Sequence, residues 1–168
     1  MKQSNRAMQL ALSAMFAALI FVATSFFKLP VSITQGYIHL GDGFILLAAM
    51  LLGQPAIIAA ALGSALADLM GGYTMYILPT FLIKGAAAAV ALCFMKEGRP
   101  FCLRLIGMVL AEAVMVLGYF FVEWLVLGYG LAAAAGALVP NIVQGLSGVI
   151  ICAVLAPVVQ RAKSLTRL

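Results

Sequence analysis

Three long stretches of this chain carry no charged residue at all: Ala7 to Phe27, Gly43 to Ala67, and Trp124 to Gln160. A helix of about 20 apolar residues spans the roughly 30 Å hydrocarbon core of a bilayer, so runs of this kind dictate a membrane-embedded fold. The composition agrees. Hydrophobic residues make up 65% of the chain and charged residues 9%, with a mean hydropathy of +1.17, whereas a soluble domain is about half apolar and about a quarter charged. A soluble globular protein is excluded. The 168 residues accommodate about six spanning helices with short loops and leave no room among them for a soluble domain.

Turn residues and charges punctuate the runs. Helix 1 is expected over 6–27, ended by Lys28 and Pro30. The polar segment VSITQGYIH at 31–39 reads as extended, and it must lie against protein because lipid offers its backbone no partners. Helix 2 is expected over 40–52, and a Gly53-Gln54-Pro55 turn leads to helix 3 over 55–70, broken by Gly71 and Gly72. Helix 4 follows over 78–95, a KEGRP loop over 96–100, helix 5 over 103–127 and helix 6 over 132–160, the last with Pro140 as a candidate kink and Pro157 near its end. Lys2 and Arg6 ahead of an apolar run superficially suggest a signal peptide. The run is long enough to span, however, and no small-residue cleavage site precedes the polar segment, so it reads as a retained helix.

The expected fold is therefore an all-α integral membrane protein, a single domain over 1–168 with six transmembrane helices. An even number of crossings puts both termini on one side. Lys2, Arg6, Lys96, Arg99, Arg104, Arg161, Lys163 and Arg167 all fall on that side, leaving Lys28 opposite and Lys84 within a helix. By the positive-inside rule the termini are cytoplasmic, and 28–39, 71–77 and 127–132 are extracytoplasmic. The net charge of +5 encodes topology, not nucleic-acid binding, since the basic residues form small clusters instead of a basic face.

Enzymatic motifs are missing. The chain lacks GxxxxGK[ST], HExxH and GxSxG, so no phosphate loop, zinc-protease or hydrolase chemistry is expected of it. His39 is the sole histidine, and beside Asp42 it reads as a hydrogen-bonding pair at a helix start instead of a metal site. Cys93, Cys102 and Cys152 lack metal or redox spacing and read as buried small hydrophobes. No cofactor or metal is expected.

The informative residues are those a lipid-facing helix does not tolerate. Lys84 lies about six residues into helix 4, about 9 Å below its outer end, and a charge there marks a functional site or a lysine that snorkels to the interface. Glu112, Tyr119 and Glu123 fall on one face of helix 5. Glu123 is at the depth of Lys84, so an internal ion pair competes with direct contact to a ligand. On helix 6, Asn141 and Gln144 share a face with Gly145 and Gly148, offering amide groups to a ligand or to helix packing. Tyr73, Tyr76, Trp124 and Tyr129 read as interfacial belt residues. Tyr37 and His39 stand apart as binding candidates because they belong to the segment that folds over protein. Asp42 is expected to cap its helix, and Asp68, at the helix end its charge disfavours, needs a partner such as Lys84. Ala7, Ala11, Ala14 and Ala18 form a smooth stripe on helix 1, suited to close approach by another helix of this chain or of a partner.

These residues together resemble a family, the substrate-binding S components of energy-coupling factor (ECF) vitamin transporters, in their riboflavin-transporter-like branch. The resemblance rests on GYIHLGDGFILLAAMLLG at 36–53, GSALADLMGGY at 63–73 and LPTFLIKG at 78–85. It implies a subunit of the bacterial cell membrane that captures a vitamin from outside. Such a subunit docks on a transmembrane coupling protein with two ATPase subunits and topples in the bilayer to release its substrate inward. It implies docking through the helix 1 AxxxA pattern, matched at Ala7 with Ala11 and, preferred here, at Ala14 with Ala18. It implies a ligand pocket near the outer surface, matching Tyr37, His39, Lys84, Tyr119, Glu123, Asn141 and Gln144.

One lysine, carboxylates, amides and aromatics suit a small polar heterocycle, pyridoxine or the hydroxymethylpyrimidine precursor of thiamine, ahead of riboflavin. Folate or pantothenate would call for more cations. A stand-alone proton-coupled transporter using Glu112 or Glu123 is the alternative from another class, and a membrane enzyme dependent on Glu112 is a third.

Overall fold

A computed structural model describes residues 2–31, 36–96 and 98–166. Residues 32–35 of the expected extended segment, Glu97 and Arg167 lie outside the described residues, as do the side chains of Lys2 and Lys163. Helix α1 spans Lys2–Phe26, α2 Gly41–Leu52, α3 Pro55–Gly71, α4 Ile77–Phe94, α5 Phe101–Phe121 and α6 Leu131–Thr166. A 3-10 turn, Thr74–Tyr76, leads into α4, and a π-helical turn, Val122–Val126, ends α5. Strands β1, Leu29–Val31, and β2, Gly36–Ile38, pair antiparallel with Pro30 opposite Tyr37. Residues 36–38 of the extended segment thus pair with the residues just after helix 1.

Four stretches are long and apolar enough to cross a bilayer: Arg6–Phe26, Thr74–Phe94, Phe101–Val126 and Leu131–Arg161. The other two helices are shorter, 12 residues for α2 and 17 for α3, or about 18 and 25 Å at 1.5 Å per residue. Around the bundle, α1 packs on α3, α3 on α4, α4 on α5, α5 on α6 and α6 on α2, and α2 closes the ring against α1. Helix α2 also touches α3 and α4. It is accordingly the most enclosed helix, buried from Gly41 to Ala49 apart from Phe44, which is half-buried.

Within the ring the core is dominated by small residues, with Ala48, Ala60, Ala88 and Ala111 packed among Ile20, Ile45, Leu46 and Met108. Outward the pattern inverts. Leu10, Leu82, Val139 and Val154 are exposed, as a lipid-facing surface requires. Lipid tails are as apolar as leucine, so these helices are held by close packing and polar contacts, not by burial from water. Close approach is visible at Gly63 of α3, where a Cβ would stand 2.5 Å from the Ala17 carbonyl oxygen of α1. Cys152 is buried as expected, but Cys93 and Cys102 are exposed, lying on the outer faces of α4 and α5. Their apolar surroundings reflect contact with lipid instead of a place in the core.

Candidate functional site

At one end of the bundle the C-terminal turns of α1 and α3, the β-ribbon, the start of α4, the end of α5 and the first half of α6 converge on a cleft. Its walls are Thr24, Tyr37, His39, Asp68, Tyr76, Thr80, Tyr119, Glu123, Ala137, Asn141 and Gln144, around a narrow cavity of about 30 Å³ open at its mouth. The mixture of rings with a few convergent polar groups is that of a small-molecule site.

Each wall is held by bonds between elements. The Tyr37 hydroxyl donates to Asp68 Oδ1 at 2.6 Å, tying the ribbon to α3. The Tyr37 ring lies 4.6 Å from that of Tyr73 and beneath the Lys28 ammonium, 4.3 Å from its centroid. Lys28 also donates to the Ala67 carbonyl at 3.2 Å. Burial and then the Asp68 carboxylate push the Tyr37 phenol above its ordinary range, so it remains a donor. His39 Nδ1 accepts the Gly41 amide at 3.0 Å, capping α2. Burial pushes the imidazole down to about 3, outweighing the raising effect of Asp42, so His39 is neutral with its proton on Nε2. On the opposite wall Thr80 Oγ1 and the Tyr119 hydroxyl share a hydrogen bond at 2.8 Å, and the Tyr76 hydroxyl donates to Glu123 Oε1 at 3.1 Å.

Gln144 joins the cleft to the layer beneath it. Its Oε1 accepts the His39 amide at 3.0 Å and its Nε2 donates to Asp42 Oδ2 at 2.7 Å. Asp42 Oδ1 in turn receives the Lys84 ammonium at 2.6 Å. Lys84 has no exposed surface and is not among the lining residues. Its ammonium stands 5.4 Å from the Tyr119 ring centroid, under the floor of the cleft. Glu112 lies in this lower layer too. Gly148 of α6 packs against both Asp42 and Glu112.

Six of the residues expected at a ligand therefore line one cleft: Tyr37, His39, Tyr119, Glu123, Asn141 and Gln144. The seventh, Lys84, supports the floor instead, because a carboxylate from α2 reaches it first. Its partner is Asp42, not Glu123 or Asp68, and Asp42 makes no cap hydrogen bond. Tyr119 and Glu123 reach the cleft while Glu112, on the same stripe, is too deep. Sequence reasoning passed over Thr24 and Thr80, assigned Tyr76 to the interfacial belt, and treated Asp68 only as a charge in need of a partner. Thr80 precedes Lys84 by one helical turn, and that spacing was a usable sign. On α1 the stripe residues Ala7, Ala11, Ala14 and Ala18 are all exposed, whereas α1 meets α3 through its Ala17 side.

Comparison with known proteins agrees with this architecture. Residues 4–161 match the family described as ECF-type riboflavin transporter, S component. A curated relative, the thiamine precursor transporter HmpT of Lactococcus lactis subsp. cremoris, is 34% identical over 91% of this chain and 88% of its own length. An uncharacterized protein of Pyrococcus woesei is 38% identical over 79% of this chain and 88% of its own. The S component of a bacterial ECF transporter, known from a solved structure, shares the fold with a TM-score of 0.73, covering 97% of this chain and 99% of that one at 21% identity. The chain belongs to the S-component family of ECF-type riboflavin transporters, substrate-binding membrane proteins of vitamin transport and not hydrolases.

Proposed function

We propose that this chain captures a small vitamin precursor from outside the cell, hydroxymethylpyrimidine first and pyridoxine second, and surrenders it inward after docking on an ATPase module. The observation that carries the substrate reading is the charge of the cleft. Two carboxylates, Asp68 and Glu123, line it, and none of the described lining residues is cationic. Such a wall repels the carboxylates of folate or pantothenate and favours a neutral or protonated nitrogen heterocycle. The thiamine-precursor relative, at 34% identity, supports the same choice.

In this reading α2 and α3 complete six crossings, both termini are cytoplasmic, and the cleft faces outward, with Lys28 beside its mouth. The protein then resides in the bacterial cell membrane. The exposed Ala14 and Ala18 supply the surface on which the transmembrane coupling protein docks, and the two ATPase subunits provide the energy. Small side chains there let two backbones approach closely.

Reconstitution into liposomes tests the division of labour. The lone chain should bind labelled hydroxymethylpyrimidine without accumulating it, and accumulation should appear only when the coupling protein, both ATPases and ATP are added. Accumulation by the lone chain under a proton gradient would overturn the reading in favour of a self-sufficient transporter.

A further inference from the structure

Two polar groups in the wall of the cleft are incompletely satisfied. Asp68 is 2% exposed and its Oδ1 accepts the Tyr37 hydroxyl, but Oδ2 is buried without a hydrogen-bond partner. Thr24, 1% exposed, also has a buried Oγ1 without one. A buried polar atom left unpaired is costly, and a carboxylate oxygen the more so. The cations close enough to matter are engaged elsewhere: Lys84 with Asp42, Lys28 with the Ala67 carbonyl and the Tyr37 ring. Thr80 is the other side-chain donor beside the Asp68 carboxylate, but its hydroxyl is shared with Tyr119, so Oδ2 has room for a further donor, and the cavity it lines is where one can enter.

We infer that Asp68, with Thr24 in the same cleft wall, is the specificity-determining subsite for an N–H donor edge of the ligand, so that the protein discriminates against a nitrogen heterocycle from which that amine has been removed. This rests on the small-heterocycle reading above and narrows it. A carboxylate accepts only, and it pairs best with an exocyclic amine or a protonated ring nitrogen, where the bond is charge-assisted. The Thr24 hydroxyl can donate as well as accept, so it complements the unprotonated ring nitrogen or the hydroxymethyl oxygen of the same ligand. An aminopyrimidine bearing a hydroxymethyl group offers both functions. Removing the amine from that pyrimidine takes this donor away and leaves the carboxylate oxygen unpaired. Tyr37 holds the carboxylate through Oδ1, so Oδ2 is already oriented when the ligand arrives, which lowers the ordering cost of binding.

The test is equilibrium binding to the detergent-purified full chain by titration calorimetry, using 4-amino-5-hydroxymethyl-2-methylpyrimidine, the same compound with hydrogen in place of the amine, and pyridoxine. Wild type is expected to bind the amine at least about 100-fold more tightly than the deaminated analogue, since sites built around a buried polar group reject ligands that leave it unpaired. In Asp68→Asn the acceptor for Tyr37 is kept, while the amide nitrogen faces the donor. The preference for the amine should collapse to within about threefold there, while the affinity for the deaminated compound stays nearly unchanged. Thr24→Val should weaken both pyrimidines alike. If wild type binds the aminated and deaminated compounds equally, or Asp68→Asn keeps the full preference, the subsite assignment is wrong even though the small-heterocycle reading stands. If wild type binds none of the three, both readings fall. The comparison of ligands on wild type decides the matter should Asp68→Asn not fold.

Discussion

A lysine ammonium with no contact with solvent survives inside a bundle only if a carboxylate meets it, and Asp42 does so at 2.6 Å. Removing one partner leaves an uncompensated buried charge, which costs about 3–5 kcal/mol. Lys84→Met should therefore lower the thermal unfolding midpoint in detergent by several degrees, and the double change Lys84→Met with Asp42→Asn should restore much of it. Asparagine still accepts the Gln144 amide, so only the charges are lost. His39 supplies a pH-dependent counterpart. Its imidazole lies outside the helical spans, is neutral because burial depresses it to about 3, and returns to about 6.5 when the chain unfolds. The stability it confers is complete above about pH 6.5 and is lost progressively as pH falls toward 3. His39→Asn keeps an acceptor near the Gly41 amide, and its unfolding midpoint should fall less steeply over that window. The type of each of these residues was legible in the sequence, because charges and amides stand out in apolar runs. Their pairing was not. Glu123 and Asp68 were the candidates for Lys84, and only the way α2 threads the ring of helices decides for Asp42.

Among the elements, the positions of the six helices followed from glycine, proline and charge. The Gly53-Gln54-Pro55 turn and the Gly71-Gly72 break separate α2, α3 and α4 within a residue or two of where the sequence puts them. Two local features carried no such mark. The π turn at Val122–Val126 interrupts an apolar stretch without glycine or proline, and the pairing of β1 with β2 depends on the fold-back of a segment too short to show a pattern. Helix packing depends on small residues at the crossings. At Gly148 an added Cβ would stand 2.9 Å from Asp42 Cβ and 3.3 Å from Glu112 Oε1. Gly148→Val should push α6 away from α2 and α5, destabilising the fold by about 1–3 kcal/mol. Gln144 and Asn141 lie one and two turns earlier on the same helix, so affinity for the ligand should fall with stability in the same preparation.

At the scale of the whole molecule, the apolar runs implied a bilayer and the scarcity of charge made each exception informative. Lys28 stands at the rim, Lys84 under the floor, and most other basic residues mark one side. The cleft itself was only partly legible, because Thr24, Tyr76, Thr80 and Asp68 reach it from four elements that are brought together by the ring of helices and not by any spacing. Docking belongs to this scale as well. Ala14→Trp and Ala18→Trp place bulk on the outward face of α1, away from the cleft, so the lone chain should bind ligand with unchanged affinity while ATP-driven accumulation in reconstituted liposomes falls by at least tenfold. Retained accumulation would move the docking surface elsewhere. The central claim, that this chain is the capture subunit for a small nitrogen heterocycle, is tested most directly by native mass spectrometry of the chain purified in detergent from cells supplied with vitamin precursors. A single adduct with the mass of hydroxymethylpyrimidine is predicted. An adduct with the mass of riboflavin, or no adduct even when hydroxymethylpyrimidine is added in excess, would contradict it.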